Sequence, residues 1–170
     1  MTLDPLDRLD EAAARTALER CCGARRWVEG VCAARPFGDR ATLFEAAERA
    51  FERLDRADWL EAFAHHPRIG DLASLREKYA TTAAWAGEEQ RGASGAGEAT
   101  LAALAEGNRA YEERFGYIFI VCATGKSADE MLALLRARMP NSPEREIGIA
   151  AGEQMKITRL RLEKLLEAAE

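Results

Sequence analysis

The sequence predicts an all-α fold, a single compact multi-helix domain spanning residues 1–170, with one long irregular loop near residues 81–97. Three observations predict it. Strong helix formers (Ala, Leu, Glu and Arg) dominate the chain, and they lose little freedom on entering a helix. β-Branched residues gather only near 118–121, so no second segment offers itself as a pairing strand. Capping and breaking residues, finally, divide the chain into pieces of helix length.

Taken in order, Asp10 to Cys22 reads as a helix stopped at Gly23, and Arg26 to Ala34 as a second that ends before Pro36. Phe44, Ala47, Phe51 and Leu54 recur at helical spacing, which makes Ala41 to Leu54 amphipathic. A shorter helix begins at Asp58 as N-cap and breaks at Pro67. Residues 81–97 carry Gly87, Gly92, Gly95 and Gly97 and read as irregular, with a turn of helix around Glu88–Gln90. Loops of that length inside a domain are usually functional or disordered.

Leu101, Leu104, Asn108 and Tyr111 restore helical periodicity from Gly97 to Phe115. The apolar run Phe119–Ala123 suits a buried strand or a buried helix; lacking a partner strand, it is expected to be helical. Ser127 with Glu130 three residues on is a capping box for a helix to about Met139. Ser142-Pro143 supplies a cap and a first-turn proline for a long final helix. The chain shows neither an internal repeat nor a linker.

A chain of 170 residues that is 48% apolar and 31% charged has the balance of one globular domain. The net charge of −5 and pI near 5.3 speak against a nucleic-acid partner. Asp4, Asp7, Asp10 and Glu11 near the start leave no basic, apolar leader to expect. Tyr117–Ala123 is too short to span a bilayer, and the terminal Glu167-Ala168-Ala169-Glu170 is not a peroxisomal signal. A cytoplasmic protein with no membrane partner is expected. Cys21, Cys22, Cys32 and Cys122 include no C-x-x-C pair, and the two histidines are adjacent, so no zinc cage is predicted and the cysteines read as buried thiols.

Ala123-Thr124-Gly125-Lys126-Ser127 imitates a phosphate-binding loop, but the glycine required five positions before Gly125 is Ile120. A helix-to-helix turn explains it better. His65-His66-Pro67-Arg68-Ile69-Gly70-Asp71 places imidazoles at a helix end, where they serve proton transfer or simply complement the helix dipole. Glu88-Glu89-Gln90 offers carboxylates beside a carboxamide, a set suited to a ureido group and equally to a solvated acidic turn. Arg161 aligns with Gln154 and Ile157 on one helix face, as either a ligand for an oxygen or a surface residue.

In combination these pieces resemble one family. His66-Pro67-Arg68-Ile69-Gly70, Glu89-Gln90, Arg114-Phe115-Gly116-Tyr117-Ile118-Phe119 and Lys156-Ile157 with Arg161-Leu162 follow in the order and spacing of 2-oxo-4-hydroxy-4-carboxy-5-ureidoimidazoline (OHCU) decarboxylases. Ala34-Arg35-Pro36-Phe37 and Asn108 with Tyr111 fit the same pattern, so the resemblance covers nearly the whole chain. It implies an all-α homodimer without metal or organic cofactor. It implies His66 as the catalytic acid, with Glu89 able to polarise the site. Pro67, the loop Ala86, Gly87, Glu88, Glu89 and Gln90, and the backbone of Phe119, Ile120, Val121, Cys122 and Ala123 would line the substrate pocket. Arg161 would bind an anionic or carbonyl oxygen. The family usually has serine three residues before the glutamate, whereas this chain has Ala86.

The implied reaction suits such a site. A carboxylate leaving a ring carbon beside a C=N bond has an electron sink within the substrate, so the protein's task is to hold the ring, stabilise charge and manage protons on one face. Histidine is the natural group for protons near neutral pH. An enzyme acting on a related ureido compound, or a helical interaction module, would carry much of the same pattern.

Overall fold

The computed structural model describes the backbone of residues 5–67, 71–85 and 94–168. After a 3₁₀ turn at Pro5–Arg8, the helices are α1 (Glu11–Glu19), α2 (Arg25–Ala33), α3 (Arg40–Glu52), α4 (Arg56–Ala64), α5 (Leu72–Trp85), α6 (Ser94–Phe115), α7 (Ala128–Arg138) and α8 (Pro143–Ala168). Among the described residues there is no strand, as expected. The chain forms two compact units, one from Met1–His66, Ile120–Cys122 and Ile147–Glu170, the other from Pro67–Phe119 and Ala123–Glu146. Neither is a continuous stretch, so no linker marks their boundary.

In the first unit α2 packs against both α1 and α3. Leu18, Trp27, Val31, Leu43, Ala47 and Leu162 are fully buried in its core. Trp27 donates its indole N–H to the Ala47 carbonyl at 3.0 Å, satisfying the one polar atom that burial of the ring strands. In the second unit α6 packs on α7, and α5 on α6. There Glu146, fully buried, accepts from Arg138 Nε at 2.9 Å and Nη2 at 2.5 Å, from Asn141 Nδ2 at 3.1 Å, and from the Tyr111 hydroxyl. A buried carboxylate is tolerable only with such a full set of donors.

Local chemistry sets the helix ends. Asp10, Asp39 and Ser127 each accept the amide three residues on and start α1, α3 and α7. α4 departs from expectation: Asp55 is its N-cap, and Asp58 occupies the third helical position of a reciprocal capping box. α1 also stops earlier than Cys22, at Glu19.

Two further differences concern residues near the predicted site. α5 continues to Trp85 and α6 starts at Ser94, so both ends of the 81–97 segment are helical, while 86–93 lie outside the described residues. Phe119–Ala123 is not helical. Gly116, at φ +86°, ends α6 in a conformation only glycine adopts cheaply. The Cys122 amide then donates to Glu153 Oε1 at 3.2 Å, a side-chain acceptor in place of a helical carbonyl.

Candidate active site

His66 follows the C-terminus of α4, whose C-cap is His65. The His65 and His66 amides donate to the Ala62 and Phe63 carbonyls at 3.2 Å each, continuing the last turn and setting where both rings emerge. The backbone at Gly23 lies against the His65 ring: an ideal Cβ there would stand 2.5 Å from His65 Cβ and Cδ2, and nearer still to Cγ. No other residue type fits without displacing that ring.

The half-buried His66 imidazole is held at both nitrogens by α8. Its Nε2 meets Gln154 Oε1 at 2.5 Å, and its Nδ1 meets Arg161 Nη2 at 3.5 Å. Gln154, Thr158 and Arg161 share one helix face, at spacings of four and three residues. Gln154 donates from Nε2 to Thr158 Oγ1 at 3.1 Å, and both residues are buried, 1% and 0% exposed. Arg161 also donates to the Arg20 carbonyl at 3.4 Å.

Burial, first of all, pulls the His66 pKa below the ordinary histidine value; the charges of Arg161 and His65 act in the same direction, and the Gln154 hydrogen bond opposes them. The ring is therefore neutral at neutral pH. Burial likewise raises the Cys21 thiol to about 11 despite the opposing charge of Arg161, so this neighbour stays protonated and is no nucleophile.

Beside this arrangement lies a cavity of about 380 Å³, whose walls include Glu19, Arg20, His65, Gln154 and Arg161. Small-molecule sites range over about 300–1,000 Å³, so the space suits a compact molecule. Among the described residues Arg161 bonds to the Arg20 carbonyl and His66 and pairs with no carboxylate. Among the described residues, too, no group of three His, Cys, Asp or Glu is placed to hold a metal ion. No described helix is long and apolar enough to cross a membrane.

Of the residues predicted from sequence, the structure brings His66 and Arg161 together. Ile120, Val121 and Cys122 belong to the same unit, the first two buried. Pro67 follows His66 and is exposed. Phe119 and Ala123 belong to the other unit. There the Phe119 ring packs edge-on to Tyr111 at 5.1 Å and under the Arg138 guanidinium at 4.6 Å. The Ala123 carbonyl accepts from the Lys126 amide at 3.0 Å, closing a turn. Ala86, Gly87, Glu88, Glu89 and Gln90 lie outside the described residues. Sequence reasoning aligned Gln154 with Arg161 but gave it no task, passed over Thr158, and read Gly23 only as the stop of the first helix. The available signal was a stripe of Gln154, Thr158 and Arg161 on a helix that otherwise buries Ala150, Ala151 and Leu162.

The OHCU decarboxylase family model matches residues 7–163. The chain belongs to the OHCU decarboxylase family. Its similarity to the uric acid degradation bifunctional protein TTL of Arabidopsis thaliana is 37% identity over 147 residues, 85% of this chain and 45% of that protein. The chain thus spans less than half of that relative. Similarity to the 2-oxo-4-hydroxy-4-carboxy-5-ureidoimidazoline decarboxylase of Haloferax volcanii covers 95% of this chain and 94% of that one at 29% identity. A crystal structure of an OHCU decarboxylase in the presence of (S)-allantoin superposes with a TM-score of 0.70 and 33% identity, covering 94% of this chain and 99% of its own. The family therefore extends across both units, and the His66–Arg161 pair falls within the matched residues.

Proposed function

We propose that this protein decarboxylates OHCU to (S)-allantoin in urate degradation, without metal or organic cofactor, and that His66 moves the protons. The observation that carries this reading is the neutral imidazole of His66, held between Gln154 and Arg161, two residues that also line a cavity. Family membership and the allantoin-associated structure, similar over almost its full length, support the choice of substrate.

The chemistry needs only what such a site supplies. When the bond to the carboxylate breaks, its electron pair forms a C=C bond within the ring, and the C=N pair moves onto the ring nitrogen. That nitrogen takes one proton, which comes ultimately from solvent. The carbon that lost carbon dioxide keeps its hydroxyl as an enol. Moving the enol proton to the adjacent carbon then yields the carbonyl of allantoin with no net proton change. A neutral imidazole accepts the hydroxyl proton of the enol and returns it to the adjacent carbon, and such shuttling is worth about 10²–10⁴-fold in rate. Arg161 holds an anionic or carbonyl oxygen of the substrate in a fixed orientation.

Glu89 and Gln90 grip the ring and ureido groups in this proposal, with Pro67, Ala86, Gly87, Glu88 and the 119–123 backbone completing the wall. Protonation on one face of a chiral pocket gives a single enantiomer. A homodimer in the cytoplasm is part of the same proposal, and sedimentation of the purified protein checks the first half of it. The direct test is the disappearance of OHCU generated freshly from urate, with allantoin and allantoate as competing substrates. Acceleration confined to OHCU is expected; turnover of another ureido compound in its place would refute the assignment.

A further inference from the structure

We infer that Gln154 is a positioning residue that fixes His66 in its Nε2–H tautomer, so that Nδ1, beside Arg161, is the nitrogen that exchanges protons with substrate. The inference rests on the proposed role of His66. Its geometry is independent of that role.

A guanidinium has only N–H donors, so the atom facing Arg161 Nη2 at 3.5 Å must present a lone pair. In a neutral imidazole that makes Nδ1 the acceptor and puts the proton on Nε2. The other side requires the same assignment. Gln154 Oε1 lies 2.5 Å from Nε2 and can only accept.

That amide is anchored on its other side as well. Gln154 Nε2 donates to Thr158 Oγ1 at 3.1 Å, which leaves Oε1 for the histidine. Arg161, His66, Gln154 and Thr158 thus form one line of matched donors and acceptors. Reversing the imidazole alone or the amide alone would set two N–H donors or two acceptors face to face, at the cost of a desolvated, unpaired group.

The two contacts to the ring are unequal, and that difference selects the reactive nitrogen. The short bond to Gln154 ties Nε2 down, whereas the long one to Arg161 leaves the Nδ1 lone pair easily claimed by another donor. A substrate oxygen drawn in by Arg161 arrives next to Nδ1. A substrate hydroxyl replaces the guanidinium there as donor, and its proton passes to Nδ1. During that transfer Gln154 Oε1 keeps the Nε2 proton and stabilises the imidazolium that forms, as a carboxamide dipole without a full charge.

Among the described residues, the charged or titratable groups that act on the ring are Arg161 from α8 and His65 from the end of α4, and Gln154 is the acceptor bonded to Nε2. Gln154 is therefore the residue on which the tautomer depends.

Long-range ¹H–¹⁵N correlation of protein labelled at histidine reads the tautomer directly. The chain has two histidines, and the signals lost in His66→Asn are those of His66. At neutral pH the expected pattern is a pyrrole-like Nε2 and a pyridine-like Nδ1. In Gln154→Leu, of similar volume but without an acceptor, His66 should show mixed or Nδ1–H tautomers. Its kcat should drop about 10- to 100-fold, short of the full acid–base contribution, with KM nearly unchanged. Gln154→Glu should restore the Nε2–H form and move the acidic limb of the pH profile upward, because a carboxylate favours imidazolium. An Nδ1–H tautomer in the wild-type protein overturns the inference, and so does wild-type kcat in Gln154→Leu. Should that variant fail to fold, the wild-type spectrum alone decides. Full activity in His66→Asn would instead remove the catalytic reading and leave the tautomer assignment standing.

Discussion

Replacing Gly23 with alanine puts a general expectation and a local observation in direct conflict. Gly23 is not among the glycines with positive φ, which are Gly38, Gly116 and Gly125. At a backbone any residue can adopt, Gly→Ala ordinarily stabilises by about 0.4–1 kcal/mol, because the unfolded chain loses freedom. Here the added carbon would stand 2.5 Å from two His65 ring-side carbons and closer to a third, against 3.4 Å or more for ordinary contact. The ring must retreat by about 1 Å, and as the C-cap of α4 it shares that backbone with His66. Overpacking of this kind costs about 1–3 kcal/mol, so it outweighs the entropic gain. The net loss, up to about 2.6 kcal/mol, lowers Tm by up to about 10 °C for a chain of this size, and a displacement of about 1 Å beside the reacting group is worth up to 10²-fold in rate. Thermal unfolding and kcat/KM measured together test both effects. His65→Ala removes the obstruction, so the Gly23→Ala/His65→Ala double variant should recover most of the stability lost by Gly23→Ala. A Gly23→Ala protein as stable and as active as wild type would refute the reasoning.

Other outcomes follow from the same geometry. His66→Asn should reduce kcat about 10²–10⁴-fold with the fold intact by circular dichroism, while His65→Asn should be mild; the reverse order would transfer the catalytic role to His65. Because burial lowers the His66 pKa and the neutral form accepts the proton, kcat/KM should fall on the acid side with a midpoint below the ordinary value of about 6.5. The same shift means the folded protein resists protonation more than the unfolded chain does, so stability is full above the unfolded pKa and declines as pH falls through and below it; urea titrations at several pH values check that sign. Arg161→Lys should be nearly as harmful as Arg161→Ala, because an ammonium cannot reproduce a planar pair of donors. Near-normal steady-state kinetics for the lysine variant would make Arg161 a packing residue.

Where a feature depended on neighbouring residues, it was legible in the sequence. Asp10, Ser127 and Ser142-Pro143 announce helix starts because a cap bonds to an amide three residues away. Asp58 misled for the same local reason: Asp55 and Asp58 each accept from the other's amide, and only the coordinates tell cap from third position. α5 was missed because Leu72–Trp85 has no clear apolar stripe, even though Asp71 accepts from the Ser74 amide at 2.7 Å. Phe119–Ala123 posed a choice between helix and strand, while its actual irregular path depends on Gly116 and on Glu153, thirty-one residues beyond the amide it holds. At the site, residue types and order pointed to His66 and Arg161. What the sequence could not express was that an amide from a different helix turn occupies the other side of the imidazole, since that depends on how α8 lies against the end of α4.

Circular dichroism at the allantoin band, recorded after fresh OHCU meets chelator-treated protein, tests the central assignment most directly. The expected result is rapid growth of a single-handed signal of (S)-allantoin, without added metal or cofactor and nearly absent in His66→Asn. Racemic product at the uncatalysed rate, or activity that appears only when a metal ion is restored, would contradict it.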